Sequence, residues 1–315
     1  MASFAEVLKV EPVDSHSYRV GLLTEWSIGS VPHGGVVTSV LQAVAKHHFS
    51  TTLRSQNQPD CITLHVDFVQ RTSVGPAIVK VKDIKLGRQT STVQLTLTQD
   101  GRDEVIAVLT HANITAESGL SLPTAWRLSP SPEPADLKQL LAHGTDGTWT
   151  QWKSPRPDFR KASVNMDFFI PKQGRAERGV MDQWIKFKNG ECFTNTCLGL
   201  LSDMFPQMVE SYSEDEEAIQ KAGIGKKELT MHWYPTLALN LDVKRLLPEE
   251  GAQWMFIRIQ SKLIHNGRKD LEVIIMNEEQ EVVALSHHVA MILSAARNLA
   301  KRGGGQNDKE SASRL

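Results

Sequence analysis

Leu64-His65-Val66-Asp67-Phe68 and Leu239-Asn240-Leu241-Asp242-Val243 are two copies of one alternating pattern. Farther along, Gly87-Arg88 returns as Gly267-Arg268. Val105-Ile106-Ala107-Val108-Leu109-Thr110-His111 then returns as Val282-Val283-Ala284-Leu285-Ser286-His287-His288. The offsets are 242 − 67 = 175, 267 − 87 = 180 and 288 − 111 = 177. Three anchors in one order indicate a structural unit used twice. Two such units can share one cleft while each specialises.

The chain has 315 residues and 40% apolar residues, so each half is long enough to bury a core of its own. We place a first unit at 1–120, a Pro-rich linker at 121–160, a second unit at 161–300 and a disordered tail at 301–315. The net charge of −1 and dispersed Lys and Arg argue against a nucleic-acid surface. No run of about 18 apolar residues occurs, so no membrane span is expected. Met1-Ala2-Ser3-Phe4-Ala5-Glu6 lacks the basic and apolar regions of a secretory signal. The three cysteines, Cys61, Cys192 and Cys197, suggest a reducing compartment. Cys192 and Cys197 have no second pair to complete a metal site, so no metal is expected.

Within the first unit, Val36, Val37, Val40, Leu41 and Val44 follow Trp26 and His33-Gly34-Gly35 at helical spacing. His47 and His48 fall near the end of that helix, where cations suit its dipole. Ile62, Leu64, Val66 and Phe68 alternate with polar residues, as in a strand with one buried face. Strands over 78–84, around Val93-Leu97 and over 105–111 follow, the last two joined by Asp100-Gly101, a hairpin pair. In the second unit we expect a leading strand over 162–170 and a buried helix over 193–205. Trp184 is aligned with Trp26 at an offset of 158. That offset sets Ala45 opposite Asp203, while the strand block sets His111 opposite His288. The growth from 158 to 175 implies about 17 extra residues before the next strand, room for a two- to three-turn excursion. The acidic run Ser213-Glu214-Asp215-Glu216-Glu217 lies inside it and reads as a solvated face. In the linker, Asp136 to Leu141 suggests a short helix. The flanking prolines oppose sheet pairing there.

A buried helix wrapped by one-sided antiparallel strands, used twice, is an α+β architecture. The helix-then-sheet order, the His33-Gly34-Gly35 start of the first helix and the duplicated strand block together resemble the double hotdog proteins, two tandem helix-wrapped antiparallel sheets. More narrowly, they resemble the thioesterase-like superfamily related to acyl-CoA thioesterase II. The likeness covers roughly residues 15–295 without the linker, and rests on motif order rather than on one specific motif. It implies an acyl-CoA substrate, no cofactor, and a homo-oligomer by family analogy. It also implies a catalytic Asp, Thr and Gln in the second unit. Asp203 and Thr236 match the first two. His288 stands where the family has Gln, a departure that either preserves, retunes or removes hydrolysis. A register error of one residue would put His287 there instead. The bland readings stay open: a surface Asp before Pro206, an ordinary strand threonine, and a packed or solvated histidine. By the same likeness His33, Gly34 and Gly35 are substrate-binding candidates, since glycines at a helix start allow close backbone approach to a thioester carbonyl.

Other readings remain beside the thioesterase one. A non-hydrolytic binder of an acyl or polyketide-like ligand is motivated by His288. A dehydratase or cyclase on the same scaffold is the third. Asp60 and His65 share the bare spacing of hotdog hydratases but lack their flanking Gly and Asn-Pro. No Gly-x-Ser-x-Gly or dinucleotide-binding glycine fingerprint occurs. The final Ser313-Arg314-Leu315 is a conservative variant of the peroxisomal Ser-Lys-Leu address. It predicts peroxisomal import through the receptor that reads that address, and a cytoplasmic location otherwise.

Overall fold

The structure is a computed structural model that describes residues 2–175, 177–223, 225 and 232–300. Ser313, Arg314 and Leu315 lie outside the described residues. The first unit contains β1 (Ser17–Leu22), α1 (Gly34–Ser50), β2 (Asp60–Phe68), β3 (Gly75–Lys85), β4 (Ser91–Gln99) and β5 (Arg102–Ala112). The second contains β6 (Met166–Pro171), β7 (Val180–Phe187), α2 (Leu198–Asp203), β8 (Thr236–Val243), β9 (Met255–Gln260), β10 (Arg268–Met276) and β11 (Val282–Met291). Among these strands the sheet order is β1-β3-β4-β5-β2-β8-β11-β10-β9-β7-β6. All neighbours are antiparallel. Two hotdog units therefore join edge to edge into one sheet. Joining at β2 and β8 removes two open edges that would otherwise invite foreign strands.

Register fixes the internal symmetry. His65 is the partner of Asn240, Asp67 of Ala238 and Thr63 of Asp242. A shift of 175 maps 63 onto 238 and 67 onto 242, so the same shift maps this ladder onto itself. Both copies carry an irregularity at the matching place, between Cys61 and Thr63 and between Thr236 and Ala238.

The same registers correct one alignment. Leu64 pairs with Leu109, and Leu239 with His288. His288 therefore corresponds to Leu109, not to His111, whose counterpart is Ala290. Repeats of like composition can slip by two residues without changing face, which is why composition alone misplaced it.

α1 runs through the interior, with Val36, Val37, Val40, Leu41 and Val44 all buried. α2 is only six residues long, preceded by a 3₁₀ turn over Asn195–Cys197. The two helices touch backbone to backbone. A Cβ at Gly35 would stand 2.8 Å from Gly199 O, and one at Gly199 would stand 2.8 Å from Ser39 N. Across this contact Leu200 N–H donates to Ser39 Oγ (2.8 Å) and Gly199 N–H to Gln42 Oε1 (2.9 Å). In return Gly35 N–H donates to Asp203 Oδ2 at 2.8 Å. The first-unit equivalent of Asp203 is therefore Ser39, not Ala45.

Trp184 also differs from expectation. Trp26 sits in a 3₁₀ turn between β1 and α1, whereas Trp184 lies within β7, opposite Phe256. Trp184 belongs to a second core on the outer face of the sheet, with Trp149, Phe169, Trp254 and Phe256. The linker builds that core. It carries a helix over Leu137–His143, capped by Asp136, and a strand over Trp149–Trp152 that pairs with β6. Sheet pairing inside the linker was not expected; its prolines flank the strand rather than interrupt it. A buried bidentate pair, Arg258 to Asp182 at 2.7 Å for both bonds, lies on adjacent strands, and Arg258 also donates to Pro130 O. The leading strand of the second unit is shorter than expected, because residues Lys161–Val164 form a helical turn before it. The excursion after α2 forms a 3₁₀ helix over Met208–Glu214 and a helix over Glu216–Ala222. Its acidic residues are not merely solvated: Asp215 caps the second helix and pairs with Arg175 and Arg178.

Replacing Gly199 by Ala forces the two helices apart, and we expect a loss of about 1–3 kcal/mol in urea-denaturation stability. An unchanged midpoint would show that their separation costs nothing.

Candidate active site

Asp203 is the last residue of α2, and the α1–α2 contact carries it to the first turn of α1. That turn holds N–H groups without intrahelical acceptors and the positive end of the helix dipole, so a carboxylate is stabilised there. Asp203, His33, Gly34 and Thr236 line one cleft of about 310 Å³. Asp203 is thus not a bulk-solvent residue; its side chain is 15% exposed. Its Oδ2 accepts from Gly35 N–H and lies 3.6 Å from His33 Nδ1. Its Oδ1 lies 3.5 Å from the Thr236 hydroxyl, which donates, and 3.8 Å from His288 Nδ1. A Cβ at Gly34 would stand 2.8 Å from Oδ2. Only glycine lets the helix start come this close.

The sheet delivers the other groups. Thr236 opens β8 at the irregularity described above, a kind of local bend that re-aims a side chain beside a site. On β11 the alternation puts Ser286 and His288 inward and His287 outward, so the imidazole facing Asp203 belongs to His288. Ser286 Oγ donates to Asn240 O at 2.6 Å, which spends its only proton. It therefore accepts from His288 Nε2 at 2.9 Å. This assigns the proton of the neutral ring to Nε2 and leaves Nδ1 as a buried acceptor without a hydrogen-bond partner. Burial pushes His288 down to about 4, against the opposing pull of Asp203.

His33 caps α1, its Nδ1 accepting from Gly35 N–H at 3.1 Å. Its proton then sits on Nε2. Burial lowers the His33 pKa, with Asp203 opposing. Gly35 N–H is committed to Asp203 and His33, so of the two glycines Gly34 is the one with its N–H left at the cleft.

The sequence reading missed Ser286 and Lys269. Ser286 lay two residues before His288 on the same face of a strand. Lys269 is buried on β10, donates to Gln207 Oε1 (2.9 Å) and lies 4.6 Å from the Tyr234 ring centroid. Burial lowers it to about 8, while Asp203 and Glu210 pull the other way. Its signal was a lysine in alternation with Leu271, Val273 and Ile275. Glu210 in turn pairs with buried Arg160, in the linker. Apolar walls come from Phe68, Phe159, Phe168, Phe205, Trp233 and Leu237. The space between α1 and the sheet is filled by core side chains, and the cleft lies at the start of the helix.

The remaining candidates do not gather here. His65 lies on the outer, exposed face of β2, paired with Asp67 and Asn240. Asp60 accepts from Ile114 N–H, so the hydratase spacing does not assemble a site. His111 stacks on Phe49 at 4.1 Å and contacts Gln58 O. Cys197 is buried and Cys192 exposed, both as free thiols. Among the described residues, no helix is long and apolar enough to cross a membrane.

Comparison with known proteins bears on this geometry. Residues 22–115 match the family model "Acyl-CoA thioesterase N-terminal domain", and residues 129–292 match "Acyl-CoA thioesterase C-terminal domain". The chain is 36% identical to "Thioesterase-like protein TwmA" of Talaromyces wortmannii, over 96% of this chain and 95% of that one. Among solved structures, it resembles an acyl-CoA thioesterase II, TesB2, from Mycobacterium marinum (TM-score 0.61, 17% identity, 93% of this chain and 98% of that one). It also resembles a conserved hot dog protein of unknown function from Alicyclobacillus acidocaldarius (TM-score 0.70, 14% identity, 93% and 99%). These two likenesses support the fold.

The lowered pKa of His288 has a consequence for stability. Unfolded, this residue takes up a proton near 6.5; folded, only near 4. Between those values the unfolded chain binds more protons, so stability falls as pH drops from 6.5 to 4 and this residue's share levels off below. His288→Gln should flatten that fall. Urea denaturation of both proteins across the window checks it, and parallel curves would contradict it.

Proposed function

The chain belongs to the acyl-CoA thioesterase family, whose N- and C-terminal domains it contains in tandem, and on that premise we propose that it hydrolyses an acyl-CoA thioester with Asp203 as the base. One observation carries the reading: Asp203 Oδ1, the Thr236 hydroxyl and the free lone pair of His288 Nδ1 converge beside a helix start. Two acceptors 3.8 Å apart are satisfied by a donor between them, and a water carries two hydrogens. Held there, the water passes one proton to Asp203 as its oxygen attacks the thioester carbon. The carbonyl oxygen gains charge and is received by Gly34 N–H and His33 Nε2–H. Collapse of the intermediate breaks the C–S bond. The departing CoA thiolate takes the proton from Asp203, so thioester plus water yields acid plus thiol. The apolar walls receive the acyl group.

His288 in place of Gln is compatible with this chemistry. A Gln amide oxygen and an imidazole Nδ1 are both acceptors, and Ser286 holds the ring in the tautomer that keeps Nδ1 unprotonated. That argues against the non-hydrolytic binder. A partial match, 29% identical over 33% of this chain and 31% of the other, is to "Ustilagic acid biosynthesis cluster protein orf2" from Mycosarcoma maydis. It favours an acyl thioester of a biosynthetic pathway over one of bulk lipid turnover.

With a panel of acyl-CoA esters and free thiol as readout, Asp203→Asn should lower kcat by about 10²–10⁴. His288→Gln should stay within about tenfold of the parent. Full turnover in Asp203→Asn ends the assignment. Dehydration in place of thiol release, read by product mass, would move the protein to the dehydratase reading. The Ser313-Arg314-Leu315 address belongs to the same proposal: removing these three residues should shift a tagged protein from peroxisomes to cytosol, and unchanged localisation would refute it.

A further inference from the structure

The far end of α1 gathers a second polar cluster. His48 lies in the last turn of α1, His16 just ahead of β1, and Asp83 near the end of β3. His48 Nε2 stands 3.0 Å from Asp83 Oδ1, and His16 Nε2 stands 3.4 Å from Asp83 Oδ2. The three donor groups all lie within 4.8 Å of one another, and the two rings meet edge to face at 4.9 Å. His48 is fully buried. From Gly34 to His48 is 14 residues, about 21 Å along the helix, so the cluster is separate from the cleft.

The outer nitrogens are also held. His48 Nδ1 is 2.8 Å from the Tyr18 hydroxyl, and His16 Nδ1 is 2.8 Å from Ser15 Oγ. Tyr18 donates its own proton to Ser15 O at 2.9 Å. In that arrangement His48 Nδ1–H is the donor to Tyr18, and its Nε2 turns a bare lone pair toward a carboxylate. Two acceptors 3.0 Å apart are satisfied by a proton or by a bound cation between them. Both imidazoles thus have one nitrogen fixed by a hydroxyl and the other aimed at a shared carboxylate, as in histidines that bind metals. Four tetrahedral donors at about 2.0–2.1 Å from zinc stand roughly 3.3–3.4 Å apart. Each imidazole nitrogen stands near that spacing from one oxygen of Asp83, His48 Nε2 at 3.0 Å from Oδ1 and His16 Nε2 at 3.4 Å from Oδ2.

We propose that His16, His48 and Asp83 form a binding site for one divalent transition metal of the zinc class, with water as a fourth ligand. Two imidazoles and a carboxylate are a donor set that suits zinc. The bound ion cross-links the start of β1, the end of α1 and β3, far from the reacting centre.

The test uses the full chain, stripped with chelator and titrated with Zn²⁺ by calorimetry, then with Co²⁺ by visible absorption. One site per chain is expected, with a Tm that rises with Zn²⁺ concentration. His16→Ala and Asp83→Asn should each weaken that site at least tenfold and remove the Co²⁺ band. His16 is 42% exposed, so its variant is expected to fold, which far-UV circular dichroism checks. Absence of a single site in the parent protein overturns the proposal. So does equal binding by both variants, since other histidines would then be the ligands.

Discussion

Everything at the cleft depends on two glycines that let two helices touch. Gly35 and Gly199 bring the first turns of α1 and α2 within backbone contact, and each helix then satisfies the other's unpaired N–H groups. Side chains larger than hydrogen at either place would separate the turns. Asp203 would then lose its donor and its place at the positive end of α1. The same contact that locks the core therefore also sets the position of the carboxylate.

Around this contact the two units have become chemically unequal. Ser39 occupies the place of Asp203. By strand register, Leu109 stands for His288, Ala107 for Ser286 and Ser91 for Lys269. One unit fills these positions with small or apolar residues and contributes a helix terminus. The other fills them with a carboxylate, an imidazole, a hydroxyl and an amine. A single asymmetric cleft results from two nearly symmetric frames. The linker adds to the asymmetry: Phe159 and Arg160 enter the cleft, and the strand Trp149–Trp152 extends the sheet on the second unit's side only.

Much of this was legible in the chain. Alternation named the strands, helical spacing named the buried face of α1, and the 175-residue offset is the register of the central ladder. The resemblance led to Asp203, Thr236 and His288, which do meet in one place. Other features depended on pairings that residue types do not encode. Ser39 became the partner of Asp203 only through the helix contact, and His111 was separated from His288 by a two-residue shift that leaves the face unchanged. Trp184 resembled Trp26 in type, but β7 is covered on both faces and its outer side belongs to the linker's core. His16, His48 and Asp83 are brought together only by folding, since 67 residues separate the first from the last.

One hydrogen bond shows what tandem fusion makes available. His65 Nδ1 lies 2.8 Å from Asn240 Oδ1 across the central ladder, where the two halves meet at matching positions. In a dimer of identical subunits, a residue on the axis faces its own twin, so the two partners at such a place are of one type. Joining the copies in one polypeptide lifts that restriction: each side of the seam can drift on its own, and an unlike pair such as His65 and Asn240 can arise where symmetry imposes like residues.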